Sequence, residues 1–306
     1  MNEDFPLPSI ERRVVLGALG GAAVAVASGL PERDAKAAAL QKPWTSEGFV
    51  ERMGGRIHWV SLGEGGAEPL VLMHKLGGWV ADWRDMAPLI EGRRVVALDM
   101  PGHGQSAMLS KPPYAQSLPE SAAMIKAVLD EMGIGRCAIA GVSLGGCIGL
   151  AMAAFWPETV SKLALLSVSL SSKISRDEMA QQDLAAAKQF DSQGLPLPRT
   201  AAQVASFGKI SPNVLDEQNA SRAQAGLWVR ASERGVGMAG VADYLPRIAC
   251  PTLLVYGDSG SYLKFEEVGR AKLKDVRVEK IADTGSFVQQ EKPVETAAIL
   301  NRFLNG

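Results

Sequence analysis

Only three histidines, His58, His74 and His103, occur in 306 residues, and none follows position 103. Imidazole chemistry is therefore confined to the first third of the chain. Cysteine is as scarce, with Cys137, Cys147 and Cys250. An odd number cannot pair completely, and their settings at strand starts and in an apolar helix mark them as small core residues. No two cysteines stand at metal-ligand spacing and the histidines are scattered, so no metal or other cofactor is expected. The formal net charge is -1 and no long run of one sign occurs. A chain without a basic field is not built for nucleic acid, which is excluded as an expected partner. The hydrophobic content of 47% against 21% charged residues excludes a disordered chain and supports one large core or two small ones.

The first apolar run, "ERRVVLGALGGAAVAVASGL", follows Arg12 and Arg13 and is rich in alanine and glycine. Val14 to Leu30 is interrupted by glycine and short of the about 20 residues that a membrane span needs. It resembles a twin-arginine export signal, with an A-x-A pattern at Ala35-Lys36-Ala37 for cleavage. Residues 1–37 are accordingly expected to be a leader read by the twin-arginine export machinery, and the mature chain a periplasmic or secreted protein. The alternatives are an uncleaved membrane anchor and a buried helix. Removing the leader takes away four bases and five acids and leaves 28 of each.

From Glu47 onward, short apolar runs alternate with helical patterns, the signature of a mostly parallel sheet with crossover helices. "FVERM" and "RIHWVSLG" flank Gly54 and Gly55, predicting an antiparallel hairpin at the start. Strands are then predicted at "PLVLMH", "RRVVALDM", "RCAIAGVS", "SKLALLSVS", "PTLLVYG" and "VRVEKIA". "WVADWRDMAPLI", "PESAAMIKAVLDEMG", "LGGCIGLAMAAFWP" and "PVETAAILNRFL" read as helices between and after them. The alternation breaks over residues 171–247, where "RDEMAQQDLAAAKQF" and "LDEQNASRAQAGLWVRASERG" are helical. That division predicts core segments at 38–170 and 248–306 with a helical cap between them. Phe207, Trp228 and the methionines near Met238 are its candidate cavity-lining groups.

The motif with the most chemistry in it is Gly141-Val142-Ser143-Leu144-Gly145, a G-x-S-x-G between a predicted strand and a predicted helix. In that context the serine stands on a strained turn, and the flanking glycines are needed because side chains there would strike backbone. The N–H of Leu144 and the helix N-terminus would face developing negative charge. With "VLMHKLGGWVADW", "VVALDMPGHGQS", "CPTLLVYGDSGSYL" and "IADTGSFVQQEKP" following the same order, the chain from about Gly48 to Gly306 resembles the α/β-hydrolase fold family. The resemblance implies a mostly parallel eight-stranded sheet flanked by helices, with a helical cap insertion. It implies Ser143 as nucleophile and the backbone N–H groups of Leu76 and Leu144 as oxyanion donors. His74 and His103 would be loop supports, and His58 a packed structural residue.

Three departures stand against that pattern. The position of the family's acid falls on Gly260, with Asp258 displaced toward the strand, and the position of its histidine falls on Ser286. Lys75 stands where the family has glycine. A lysine desolvated beside a serine can act as its base, whereas the alternative is an ammonium that reaches solvent or meets an anionic ligand. Loss of the histidine costs about 10⁶ in turnover, while an oxyanion hole and pocket retain about 10³ to 10⁴ over water. Three readings stay open: a hydrolase of small ester or lactone substrates through Ser143 with a degenerate triad, a catalytically inactive protein binding a small apolar ligand, and a lyase or cyclase using the same pocket.

Overall fold

The computed structural model describes residues 43–306 apart from Met53. The expected leader lies outside the described residues. Nine strands form one sheet: β1 Ser46–Arg52, β2 Gly55–Leu62, β3 Ala67–Met73, β4 Arg93–Leu98, β5 Ala107–Met108, β6 Cys137–Val142, β7 Val160–Leu166, β8 Thr252–Gly257 and β9 Val276–Ile281. Their order is β1-β2-β4-β3-β6-β7-β8-β9, with the two-residue β5 pairing on β2. Pairing is antiparallel around β2 and parallel from β4 to β9. The eight strands that the α/β-hydrolase pattern predicts are therefore present, with β5 as a ninth. The opening hairpin closes on an Arg52–Gly55 pair, so Gly55 belongs to β2 and the turn lies one residue earlier than predicted.

Strand periodicity explains the two-sided core. In β3, Val71 and Met73 join one apolar cluster, and Leu70 and Leu72 the other; in β4, Val96 and Leu98 alternate in the same way with Val95 and Ala97. All six residues of β6 and of β8 are buried, as strands covered on both faces must be. Each such leucine contributes roughly 1.5–3 kcal/mol on burial. One face is covered by α1 (Leu118–Glu131) and α2 (Leu144–Phe155), and the other by α9 (Pro293–Asn305). The start of α1 is fixed by a capping box between Ser117 and Glu120.

Between β7 and β8 run α3 (Arg176–Ala186), the single turn α4 (Ala201–Val204), α5 (Pro212–Ala225) and α6 (Trp228–Ala239). The remaining helices are α7 (Glu266–Lys272) after β8 and the single turn α8 (Val288–Glu291) before α9. No described helix is long and apolar enough to cross a membrane. Two predicted helices differ. "WVADWRDMAPLI" forms two 3₁₀ turns, Val80–Trp83 and Ala87–Leu89, because Pro88 has no N–H to give Arg84 and the Val80 N–H is taken by Asp99 Oδ1 at 2.7 Å. The long pattern after Leu215 divides into α5 and α6 at Gly226, which ends α5 at φ 54°.

Candidate active site

Ser143 joins β6 to α2 at φ 50° and ψ -113°, a conformation that side chains rarely adopt. The strain is held by backbone bonds on both sides, Ser143 N to Leu166 O at 3.1 Å and Cys147 N to Ser143 O at 3.0 Å. A Cβ at Gly145 would lie 2.7 Å from His74 O and nearer still to Met73 O, so the elbow and the loop after β3 are in backbone contact. Gly145 N donates to His74 O at 3.1 Å and locks the two together.

That loop, residues 74–78, closes with Gly78 N donating to Lys75 O at 2.9 Å and with Gly77 at φ 66°. His74 is used in building it. Its Nε2 accepts from Met100 N at 2.9 Å, which leaves the proton on Nδ1 to donate to Lys75 O at 2.7 Å. Burial, then neighbouring His103, pushes its pKa well below the ordinary value, so the ring stays neutral. His103 donates from Nδ1 to Pro101 O at 3.0 Å, and burial lowers its pKa to about 4. His58 pairs with Asp99 at 2.8 Å, and that carboxylate also takes the N–H of Val80 and of Gln105. None of the three imidazoles lines the cavity at Ser143.

Lys75 is buried and its Nζ lies 3.3 Å from Asp82 Oδ2. Burial pulls the lysine pKa down, with Asp82 opposing and Arg199 and Arg222 adding to the fall; burial likewise raises Asp82 against the pull of Lys75. Lys75 is not among the residues lining the cavity, so the structure brings it to Asp82 and not to Ser143.

The two replaced triad positions do come together. A Cβ on Gly260 would stand 3.0 Å from Ser286 Oγ. Ser286 is buried, its Oγ has no hydrogen-bond partner, and its N–H donates to Phe207 O at 2.7 Å. Asp258 turns the other way and accepts from the N–H of Asp283 at 3.1 Å and of Thr284 at 3.4 Å. Above the loop lies segment 207–209 of the cap, so close that a Cβ on Gly285 would meet Lys209 O at 2.8 Å and Phe207 O at a shorter distance. Cap backbone therefore packs directly on the loop that carries Ser286.

In the absence of an imidazole, Ser143 has a phenol beside it. Tyr262 lines the cavity with Ser143, and burial holds its pKa above the ordinary value against the opposing pull of the Ser143 hydroxyl. Tyr262 stacks on Phe207, ring centroids 6.2 Å apart at 19°. The sequence signal for it was "GSYL", a hydroxyl-bearing aromatic two residues after the vacant acid position.

Leu76, Ser143, Leu144 and Tyr262 line a cavity of about 500 Å³ beneath the cap. Cys147 joins them, but burial raises its thiol pKa to about 12, so it holds no thiolate. Of the apolar groups predicted from the cap, Phe207 lines this cavity; Trp228 packs on Gly102, and Met238 borders a separate recess with Met179 and Arg176. The cavity is also more polar than predicted, because Arg199, Arg222 and Glu233 reach it from the cap. Among the described residues no three His, Cys, Asp or Glu side chains gather as a metal site.

This geometry agrees with the comparisons. Residues 68–195 match the family model described as alpha/beta hydrolase fold. The chain has the α/β-hydrolase fold. The dihydrolipoyllysine-residue acetyltransferase component of the acetoin cleaving system of Pseudomonas putida is 35% identical over 148 residues, 44% of this chain and 39% of that protein. A 2-hydroxy-6-oxononadienedioate/2-hydroxy-6-oxononatrienedioate hydrolase of Escherichia coli O139:H28 (strain E24377A / ETEC) is 37% identical over 116 residues, 36% of this chain and 39% of that one. The chain thus matches well under half the length of these two curated relatives. Among solved structures, a membrane phospholipase A described as a novel bacterial virulence factor superposes with a TM-score of 0.70 at 27% identity, covering 90% of this chain and 92% of that one. The enol-lactonase of Burkholderia xenovorans LB400 does so at 0.65 and 20% identity, covering 85% and 100%, a likeness of fold.

Proposed function

We propose that the Ser143 cavity takes up a small acyl compound of the ester or lactone type, and that Ser143 acts on it without the proton transfer that gives a triad its rate. One observation carries this reading: the cavity sets the Tyr262 phenol, protonated at neutral pH, beside Ser143, and none of the three imidazoles lines it. A neutral phenol accepts no proton from serine, so general-base activation is absent. The elbow, with Ser143 held at φ 50°, still favours orientation of a carbonyl against Ser143 and the Leu76 and Leu144 N–H groups. With about 10³ to 10⁴ over water left to such a site, turnover is restricted to activated esters, and ligand binding is the principal activity. The names of the two similar hydrolases, one a lactonase and one acting on a dienedioate, support a small acyl compound.

The test is intact-mass measurement of labelling by a fluorophosphonate, with Ser143→Ala as control. Labelling is expected to be absent or to take hours. Labelling complete within minutes that disappears in Ser143→Ala would show an activated serine and overturn the reading. Twin-arginine export is likewise a proposal, supported by Arg12-Arg13 and Ala35-Lys36-Ala37. Changing both arginines to lysine should leave the precursor in the cytoplasm, and undiminished delivery would refute it.

A further inference from the structure

We infer that Arg199 and Arg222 form a recognition site for a free carboxylate on the ligand of the Ser143 cavity, a reading that rests on that cavity's being an acyl-compound pocket. Arg222 is 4% exposed, lines the cavity and has a buried Nε with no hydrogen-bond partner. Arg199 lines the same cavity, half-buried, and its Nε is unpartnered as well. Neither guanidinium has an ion-pair partner among the described residues. Buried arginine is tolerated when it is paired, because desolvating the charge is costly otherwise. Two of them beside a nucleophile elbow call for an anion.

The surrounding charges supply only part of it. Asp82 is taken by Lys75, and Glu217 by both terminal nitrogens of Arg84 at 2.8 and 2.6 Å. Glu233 reaches the cavity wall and attracts both guanidiniums without pairing with either, its Oε2 being held by Arg230. Two guanidiniums facing one carboxylate leave the wall positive by a single charge. That balance suits a monoanionic carboxylate better than a phosphate dianion, and the planar fork of arginine matches the two oxygens of a carboxylate.

Placement ties the pair to the reacting end. The Arg222 stem passes so near Gly77 that a Cβ there would stand 2.6 Å from Arg222 Cγ, which sets the guanidinium beside the loop carrying Leu76. Arg199 is fixed at its backbone by Asn219, whose Oδ1 accepts from Arg199 N at 2.8 Å and whose Nδ2 donates to Arg199 O at 2.9 Å. Its guanidinium lies 5.8 Å from the ring centre of Phe207. Desolvation lowers both arginine pKa values, that of Arg222 to about 10, with Glu233 opposing the fall at each. The ligand class is therefore a short acyl compound with a carboxylate at one end and an ester or lactone carbonyl at the other.

Calorimetric titration with monoethyl adipate and with diethyl adipate, in a carboxylate-free buffer of low ionic strength, tests this. The ligand is recovered afterwards to verify that it is intact. The monoester should bind at least ~10-fold more tightly than the diester, because charge-assisted hydrogen bonds are the strong ones. Arg222→Met should abolish the preference and raise the melting temperature, since it removes an unpaired buried charge. Arg199→Met, at a less buried position, reports the same loss of preference if Arg222→Met fails to fold. Equal affinities in the parent, or a preference that survives both substitutions, would overturn the carboxylate site and leave the acyl pocket standing. Binding of neither compound would overturn both.

Discussion

Asp82→Asn removes the charge that compensates Lys75 and keeps the shape of the side chain. Both residues are 3% exposed, and the ammonium has Arg199 and Arg222 as further positive neighbours. Removing one partner of a buried pair costs about 3–5 kcal/mol. A ceiling exists, because Lys75 can shed its proton. Neutralising an amine with an ordinary pKa of 10.5 at pH 7 costs about 5 kcal/mol at roughly 1.4 kcal/mol per unit. At pH 9 the same ceiling is about 2 kcal/mol. The folded state binds fewer protons than the unfolded one between the lowered pKa of Lys75 and 10.5, so stability of the variant rises with pH across that window. Urea unfolding at pH 7 and pH 9 should therefore show a penalty of about 3–5 kcal/mol that shrinks to about 2 kcal/mol. Adding Lys75→Met should recover most of it, since an apolar replacement of a buried pair is often neutral. An unchanged midpoint at pH 7, or a penalty independent of pH, would refute the buried pair as described.

Further outcomes are open to measurement. Gly260→Asp with Ser286→His should leave hydrolysis of p-nitrophenyl acetate at background and lower stability by about 1–3 kcal/mol, since the imidazole replaces a small side chain at a buried position; a large gain in rate would show the space to be free. His103, lowered to about 4 by burial, binds a proton in the unfolded chain before it does in the folded one. Stability should thus fall as pH drops from about 6.5 towards 4, by up to roughly 1.4 kcal/mol per unit. His103→Gln should make that limb shallower in acid unfolding curves, leaving the share of the buried His74, and an unchanged slope would exclude the assignment.

The elbow was legible because its chemistry is local: strand, turn and helix, and the glycines at 141 and 145, all lie within one short stretch. Gly260 and Ser286 were identified from motif order as the vacated acid and histidine positions, and they lie side by side. What the sequence did not disclose depends on distance along the chain. Arg199 and Arg222 lie more than fifty residues from Ser143, and no periodicity signals that their guanidiniums converge on it. Tyr262 was passed over because a phenol is not a triad group. Lys75 was read from its neighbourhood with Ser143, but its direction is set by Asp82 on a 3₁₀ turn that the helical pattern had concealed. The cap was expected to give an apolar lining from the residue types of its helices, whereas side-chain direction gave the cavity two cations.

The contact of segment 207–209 with Gly285 and Ser286 makes the loss of the histidine hard to reverse. A single change of Ser286 to histidine has to fit a larger ring at a buried position. Withdrawing the cap backbone first, with serine still in place, strips the Ser286 N–H of the Phe207 carbonyl that accepts from it at 2.7 Å. Each step alone costs stability before any triad is regained. Selection acting on this arrangement is left to refine what enters the cavity and how long it stays.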